Sequence, residues 1–252
     1  MVSLFDAVIL SIIQGITEWF PISSSGHLAL TQEILGFQSL GFDVYLHFAS
    51  VFSVVIVFWK DIKDLFKINR ENMIYIRRLV IAIIPAALVG LLLIDYVRVA
   101  FGSKLFIGLF FIIFGFFIYA TKFAKERWDR PSKFDSFIIG ISQVFALFPG
   151  VSRSGMTVGS GLITGLKKES AIKFSFLLAI PMILGATMVE AKEIVLTDTS
   201  FLVLLTSFTL TLFTSLMTIK LLVRIIKSDN FYLFGIYNIL LGLVVVVWSF
   251  WG

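Results

Sequence analysis

Cysteine is absent from the 252 residues, which excludes a disulfide framework and thiol chemistry. Charge is scarce. Only 15% of residues are Asp, Glu, Lys or Arg, against about 25% in an ordinary soluble domain. Histidine occurs twice, at His27 and His47, and proline five times. Hydrocarbon fills the space: 58% of residues are hydrophobic, and mean hydropathy is +0.99. The apolar runs are unbroken rather than alternating, which excludes a membrane β-barrel. An open sheet edge cannot be satisfied in lipid, so the composition predicts an all-α integral membrane protein. The net charge of +5 then reports topology, with no nucleic-acid partner. The first 20 residues are apolar but lack a basic leading region and a small-residue cleavage site, so they are expected to belong to the folded structure.

Six apolar segments are long enough to span, at residues 42–59, 79–97, 105–121, 174–190, 201–223 and 231–251. Four shorter ones form two pairs. Residues 2–20 and 26–37 flank Pro21-Ile22-Ser23-Ser24-Ser25, and residues 134–148 and 155–166 flank Pro149-Gly150-Val151-Ser152-Arg153-Ser154. Each pair reads as a re-entrant helix hairpin, and its polar break must lie inside the protein or line a wet cavity. With the N-terminus outside, 17 of the 21 Lys and Arg fall in connections on the inner side. Arg98, Lys104 and Lys192 fall outside, and Arg153 lies in the second break. By the positive-inside rule, both termini are extracytoplasmic.

The first break has an echo. Displacing the chain on itself by 129 residues aligns Ser3 with Ser132, Asp6 with Asp135, Gln14 with Gln143, Ser23 with Ser152, Ser25 with Ser154, Gly26 with Gly155 and Gly36 with Gly165. Apolar composition does not explain matched Asp, Gln and Ser-x-Ser-Gly. The chain is therefore expected to be one membrane domain, 1–252, built from inverted repeats of about 1–130 and 131–252. That architecture puts a site at the repeat interface, on broken helices.

The chemistry-bearing residues cluster at the breaks. Ser23, Ser24, Ser25 and Gly26 open one half-helix; Ser152, Ser154, Gly155 and Thr157 open the other. Both are N-cap signals, and two facing helix N-termini make an anion cradle. Arg153 adds a planar fork suited to phosphate. An intramembrane ion is costly and usually functional. Glu18 lies one turn after Gln14 on the same helix face. It is expected to hold a divalent cation, Mg²⁺ or Ca²⁺, with Gln14, or to act as a base; a salt bridge to Arg153 is compatible with either. His27 follows the serines and can act as nucleophile or proton acceptor. Asp43 and His47, four residues apart, either complete the site or pair with each other. Asp6 and Asp135 read as helix-start caps.

Gln14-x-x-x-Glu18, Pro21-x-Ser-Ser-Ser-Gly-His27 and Pro149-Gly-x-Ser-Arg-Ser-Gly-x-Thr157 resemble the two signature motifs of the undecaprenyl-diphosphate phosphatase family of the bacitracin-resistance type. The likeness extends over nearly the whole chain, including Phe174-Ser-Phe-Leu-Leu-Ala-Ile-Pro181. It implies hydrolysis of a polyprenyl diphosphate to the monophosphate, which recycles the lipid carrier for cell-envelope glycans. It implies a divalent cation, homodimers among membrane lipids, and a multi-pass position in the plasma (inner) membrane with the site open to the outer face. The functional set it implies is Glu18, Ser24, His27, Ser152, Arg153, Ser154 and Thr157, with Ser24 or His27 as nucleophile. Three positions depart from the bacterial pattern: Gln14 and Asp43 where glutamate is common, and His47 where glutamine is common.

Inverted repeats and broken helices also occur in transporters, so a polyprenyl-phosphate flippase is the alternative function. The combination of Glu18, Ser24 and His27 favours hydrolysis over transport and over a non-catalytic lipid-binding protein. An acid-phosphatase-type lipid phosphatase would need a histidine downstream of its Ser-Arg, and none follows His47.

Overall fold

The computed structural model describes residues 2–190 and 199–251, with side chains left out over 93–100. Lys192 and the Arg98 side chain, both assigned to the outer side by charge, lie outside the described residues. Among the described residues there are eleven α-helices. They are α1 (Leu4–Thr17), α2 (Ser24–Leu35), α3 (Leu40–Val57), α4 (Trp59–Leu65), α5 (Arg70–Phe101), α6 (Lys104–Ala120), α7 (Lys133–Phe145), α8 (Arg153–Ile163), α9 (Lys168–Val189), α10 (Phe201–Lys227) and α11 (Leu233–Ser249).

Five of them are long and apolar enough to cross a membrane, over Leu40–Val57, Arg70–Leu92, Lys104–Phe123, Lys168–Val189 and Phe201–Lys227. The sequence predicts six. The remaining segment is α11, a shorter apolar helix of 17 residues, because the chain turns through Asn230–Tyr232 before the helix begins. The four helices at the breaks have 14, 12, 13 and 11 residues. At about 1.5 Å per residue none of these crosses a hydrocarbon core of about 30 Å.

Local chemistry sets the helix starts. The Ser3 hydroxyl accepts from Asp6 N at 3.1 Å. At α7 the cap is reciprocal: Ser132 Oγ accepts from Asp135 N at 3.1 Å, and Ser132 N donates to Asp135 Oδ2 at 2.7 Å. Helix boundaries recur at the displacement seen in the sequence. α1 and α7 start at 4 and 133, α2 and α8 at 24 and 153, and α6 and α11 at 104 and 233, each 129 apart; α3 and α9 start at 40 and 168. The packing is reciprocal as well: α1 lies against α10, and α7 against α5.

Lipid tails are as apolar as Leu, so hydrophobicity does not drive these helices together. Close packing and polar contacts do. α6 and α11 meet backbone to backbone: a Cβ on Gly242 would lie 2.6 Å from the Gly108 carbonyl oxygen, and one on Gly235 2.6 Å from that of Gly115. α10 turns the buried Ser207, Thr211, Ser215 and Thr218 inward, and Thr211 Oγ1 donates to Ser11 O on α1 at 3.3 Å. Large apolar side chains such as Leu92, Phe213 and Val244 face outward, as lipid contact requires.

Candidate active site

The two polar breaks, between α1 and α2 and between α7 and α8, pack directly against each other. A Cβ on Gly26 would lie 3.0 Å from Gly150 N and 2.7 Å from Phe111 Cζ. A Cβ on Gly155 would lie 2.8 Å from Pro21 Cβ and 2.4 Å from Phe114 Cζ. These contacts are equivalents of one another: 26 and 155, like 21 and 150, differ by 129.

Serine hydroxyls tie the breaks together. Ser23 Oγ accepts from its own helix at Gly26 N, 3.3 Å, and from Gly150 N across the interface, 3.1 Å. In the other copy, Pro21 has no N–H, so Ser152 Oγ and Ser154 Oγ instead donate to Phe20 O, each at 3.3 Å. Ser25 Oγ lies 3.3 Å from Ser23 Oγ, and Ser154 Oγ 3.0 Å from Ser152 Oγ. Thr157 Oγ1 bonds the Arg153 and Ser154 carbonyls at 2.9 and 3.2 Å and meets Ser175 Oγ at 2.5 Å. The hydroxyls expected to touch a ligand thus hold the breaks in place, and backbone N–H groups at the helix starts remain for an anion.

Ser24 differs from its neighbours. Its hydroxyl donates to Glu18 Oε2 at 2.7 Å. Glu18 is only 6% exposed. Its other oxygen accepts from Arg153 Nη2 at 2.5 Å, and Gln14 Nε2 donates to Oε2 at 3.1 Å. The Glu18–Arg153 ion pair joins the two breaks. The guanidinium lies over the Trp19 ring, 5.6 Å from its centroid. Three buried polar atoms here lack a hydrogen-bond partner among the described residues: Arg153 Nη1, Gln14 Oε1 and Trp19 Nε1. Buried polar groups are almost always paired, so donors and an acceptor left over in one place mark room for a ligand.

His47 joins this cluster. Its Nδ1–H donates to the Asp43 carbonyl at 2.8 Å, and its Nε2 lies 3.4 Å from Glu18 Oε2 and 3.5 Å from Ser24 Oγ. The Asp43 carboxylate accepts from Gln32 Nε2 at 2.7 Å, and among the described residues no hydrogen bond or ion pair joins it to the His47 side chain. His27 is engaged elsewhere. Its Nδ1–H donates to Ser23 O, and its Nε2 accepts from the Tyr237 hydroxyl, both at 2.8 Å. Its ring stacks on that of Tyr237 and meets Phe111 edge-on.

One backbone feature distinguishes the copies. Ser23 has φ 63° and ψ 95°, whereas Ser152 has an ordinary φ of −82°. A non-glycine residue in such a region costs on the order of 1–3 kcal/mol, and such outliers concentrate at functional sites. Ser23 is held by both oxygen atoms. Its hydroxyl takes the two backbone donors described above, and its carbonyl takes His27 N at 3.1 Å as well as the ring.

Tyr237, Asn238 and Trp19 are the site residues that motif reasoning misses. Asn238 Nδ2 donates to Pro21 O at 2.8 Å, so α11 anchors the first break. Tyr237-Asn238 is a polar pair in the last apolar segment, and that exception was the available signal. Trp19 carries no signal inside an apolar run.

Residues 7–244 match the family model described as bacitracin resistance protein BacA. The chain belongs to this family. It is 35% identical to an undecaprenyl-diphosphatase of Christiangramia forsetii, with 98% of each chain covered. It is 34% identical to one of Methanosphaera stadtmanae, with 99% of each covered, and 39% identical to one of Pelotomaculum thermopropionicum, with 97% and 96% covered.

For a divalent cation the donors are oxygen: Glu18, Ser24 and the unpartnered Gln14 Oε1. Among the described residues no three His, Cys, Asp or Glu side chains group to hold an ion by themselves. This set fits a cation that takes its remaining oxygens from substrate phosphates, as Mg²⁺ commonly does.

Proposed function

We propose that this chain is an undecaprenyl-diphosphatase, releasing inorganic phosphate from the lipid diphosphate and leaving the monophosphate. The observation that carries the reading is the Ser24–Glu18–Arg153 chain of bonds, set between two facing helix N-termini in a full-length member of the family. Arg153 leaves one contact with Glu18 for the phosphates, its fork and the N-terminal N–H groups of α2 and α8 gripping the diphosphate. Ser24, its proton on Glu18, attacks the terminal phosphorus. The Oγ–P bond forms, the bridging P–O bond breaks, and the polyprenyl monophosphate leaves. Water then attacks the phosphoserine, phosphate departs, and the proton returns to Ser24. His27 is the less suited nucleophile, since both ring nitrogens are already bonded. Its neutral tautomer is fixed by Ser23 O, which suits it to accept a proton from that water once Tyr237 swings away and to pass it to the departing phosphate. Gln14 and Glu18 would hold the divalent cation, which would supply charge neutralisation for the phosphates. Positioning and fixed charge supply most of the rate.

In this reading α11 crosses with the five longer helices, and the α1–α2 and α7–α8 pairs are re-entrant from opposite faces. The chain is then one membrane domain of two inverted repeats, in the plasma membrane, with both termini and the site open outside and with homodimers as its assembly. The recurring helix starts and the reciprocal break contacts support the repeats, and the inner bias of Lys and Arg supports the orientation; the dimer and the plasma membrane are what the family resemblance implies.

The test is phosphate release by purified protein from undecaprenyl diphosphate, shorter prenyl diphosphates and a soluble diphosphate. Release from the lipids supports the reading. Lipid movement across vesicles without release would make the protein a flippase instead. Rapid quenching with terminally labelled substrate separates a base-labile phosphoserine from an acid-labile phosphohistidine.

A further inference from the structure

Away from the breaks, a cavity of about 710 Å³ opens between the first turns of α5 and α7, on the charge-rich side of the molecule. Arg70, Arg78 and Arg130 line it, with Glu71, Ile74 and Trp128. None of Glu18, Ser24 or Arg153 borders it. Its volume is that of a small-ligand pocket, about 300–1,000 Å³.

The charge here is not balanced internally. Glu71 takes Arg130 at 2.8 Å. The bordering Asp135 carboxylate already accepts from Ser132 N. Arg70 and Arg78 have no acidic partner among the described residues, and both line the cavity. Arg78 Nε is buried with no acceptor. A guanidinium fork left open at a cavity wall matches a phosphate oxygen pair. The setting is amphipathic: Trp128 is 51% and Ile74 36% exposed. The apolar stretch of α5 begins at Leu79, directly after Arg78, which puts the cavity at a membrane–water boundary, where aromatic residues collect. Basic pockets between membrane helices on this side suit lipid headgroups.

We infer that this cavity is a second anion site, separate from the catalytic one, which binds the phosphate ester of an anionic lipid in the inner leaflet. Free inorganic phosphate offers the same chemistry, so the test separates the two. Native mass spectrometry of the full chain in neutral detergent would titrate phosphatidylglycerol, phosphatidylcholine and inorganic phosphate. The proteins compared are wild type, Arg78→Lys and the double variant Arg70→Gln/Arg78→Gln. Phosphatidylglycerol should bind wild type in preference to phosphatidylcholine. The double variant should bind about ten- to a hundredfold more weakly, the effect of losing a charge-assisted bond, and Arg78→Lys should fall between. Binding of inorganic phosphate alone, with the same loss in the variant, would keep the site and assign it to free phosphate. Equal binding of both lipids by wild type, or wild-type affinity in the double variant at an unchanged thermal midpoint, would overturn it. A folding failure shows as a lowered midpoint and is resolved by Arg78→Lys. Because binding is read directly, the outcome does not depend on the proposed hydrolysis.

Discussion

Arg153→Ala separates what the central ion pair does for folding from what it does for chemistry. Glu18 is buried, and Arg153 is its only full cation within 4 Å among the described residues apart from a protonated His47. Removing one partner of a buried pair leaves an uncompensated charge, at a cost of about 3–5 kcal/mol. The same change removes the phosphate fork, and losing one such donor typically lowers turnover by about 10²–10³. A second substitution splits the effects. Glu18→Gln in the Arg153→Ala background removes the orphaned charge while keeping an oxygen for Ser24, so most of the lost stability should return. Turnover should not return, since the fork and the carboxylate are both gone. The assay pairs a thermal unfolding midpoint in detergent with phosphate release from undecaprenyl diphosphate. Three proteins suffice: Arg153→Ala, Glu18→Gln and the double variant. A double variant no more stable than Arg153→Ala would refute the buried-pair argument. Near-wild-type release by Arg153→Ala would refute the site.

Four further outcomes are expected. Gly155→Ala drives a Cβ toward Phe114 Cζ at 2.4 Å and Pro21 Cβ at 2.8 Å, so release should fall sharply; an unchanged rate would show that the breaks do not need their contact. Tyr237→Phe keeps the ring stacked on His27 and deletes the hydroxyl that must leave Nε2 before His27 takes a proton, so turnover should be retained where His27→Ala loses it, as parallel release assays would show. Asp135→Ala removes half of a capping box, a hydrogen bond to a charged group worth about 1.5–3 kcal/mol, which should lower the unfolding midpoint while leaving KM unaltered. Chelation by EDTA should stop release and added Mg²⁺ or Ca²⁺ should restore it; full activity in chelator would remove the cation from the site.

The helices and breaks were readable because lipid imposes a simple rule: long apolar runs span, and polar backbone must be covered. Asp6 and Asp135 marked the two helix starts, but the N-caps are the serines three residues earlier, Ser3 and Ser132. The Glu18–Arg153 bond was legible too, since an acid and a base in hydrocarbon must find each other. The roles within the serine cluster were not. Spacing brings Ser23, Ser24 and Ser25 to one turn but cannot say which hydroxyl faces Glu18, because that depends on the unusual φ of Ser23, a product of tertiary contact. Tyr237 lies 210 residues from His27, beyond any local pattern. The sixth span was read too long, because the apolar residues at 231 and 232 belong to a turn.

The cross-interface bond from Gly150 N to Ser23 Oγ also decides which halves can pair. Two copies of the first half would set Pro21 opposite each serine, and proline has no N–H to give. Two copies of the second half would offer Gly150 N to Ser152 on both sides. Separately expressed halves should therefore recombine only as first with second to restore activity, and leftover second halves should be the ones that self-associate. Losing one N–H to proline makes the join directional, in a molecule whose helix starts recur at a fixed displacement.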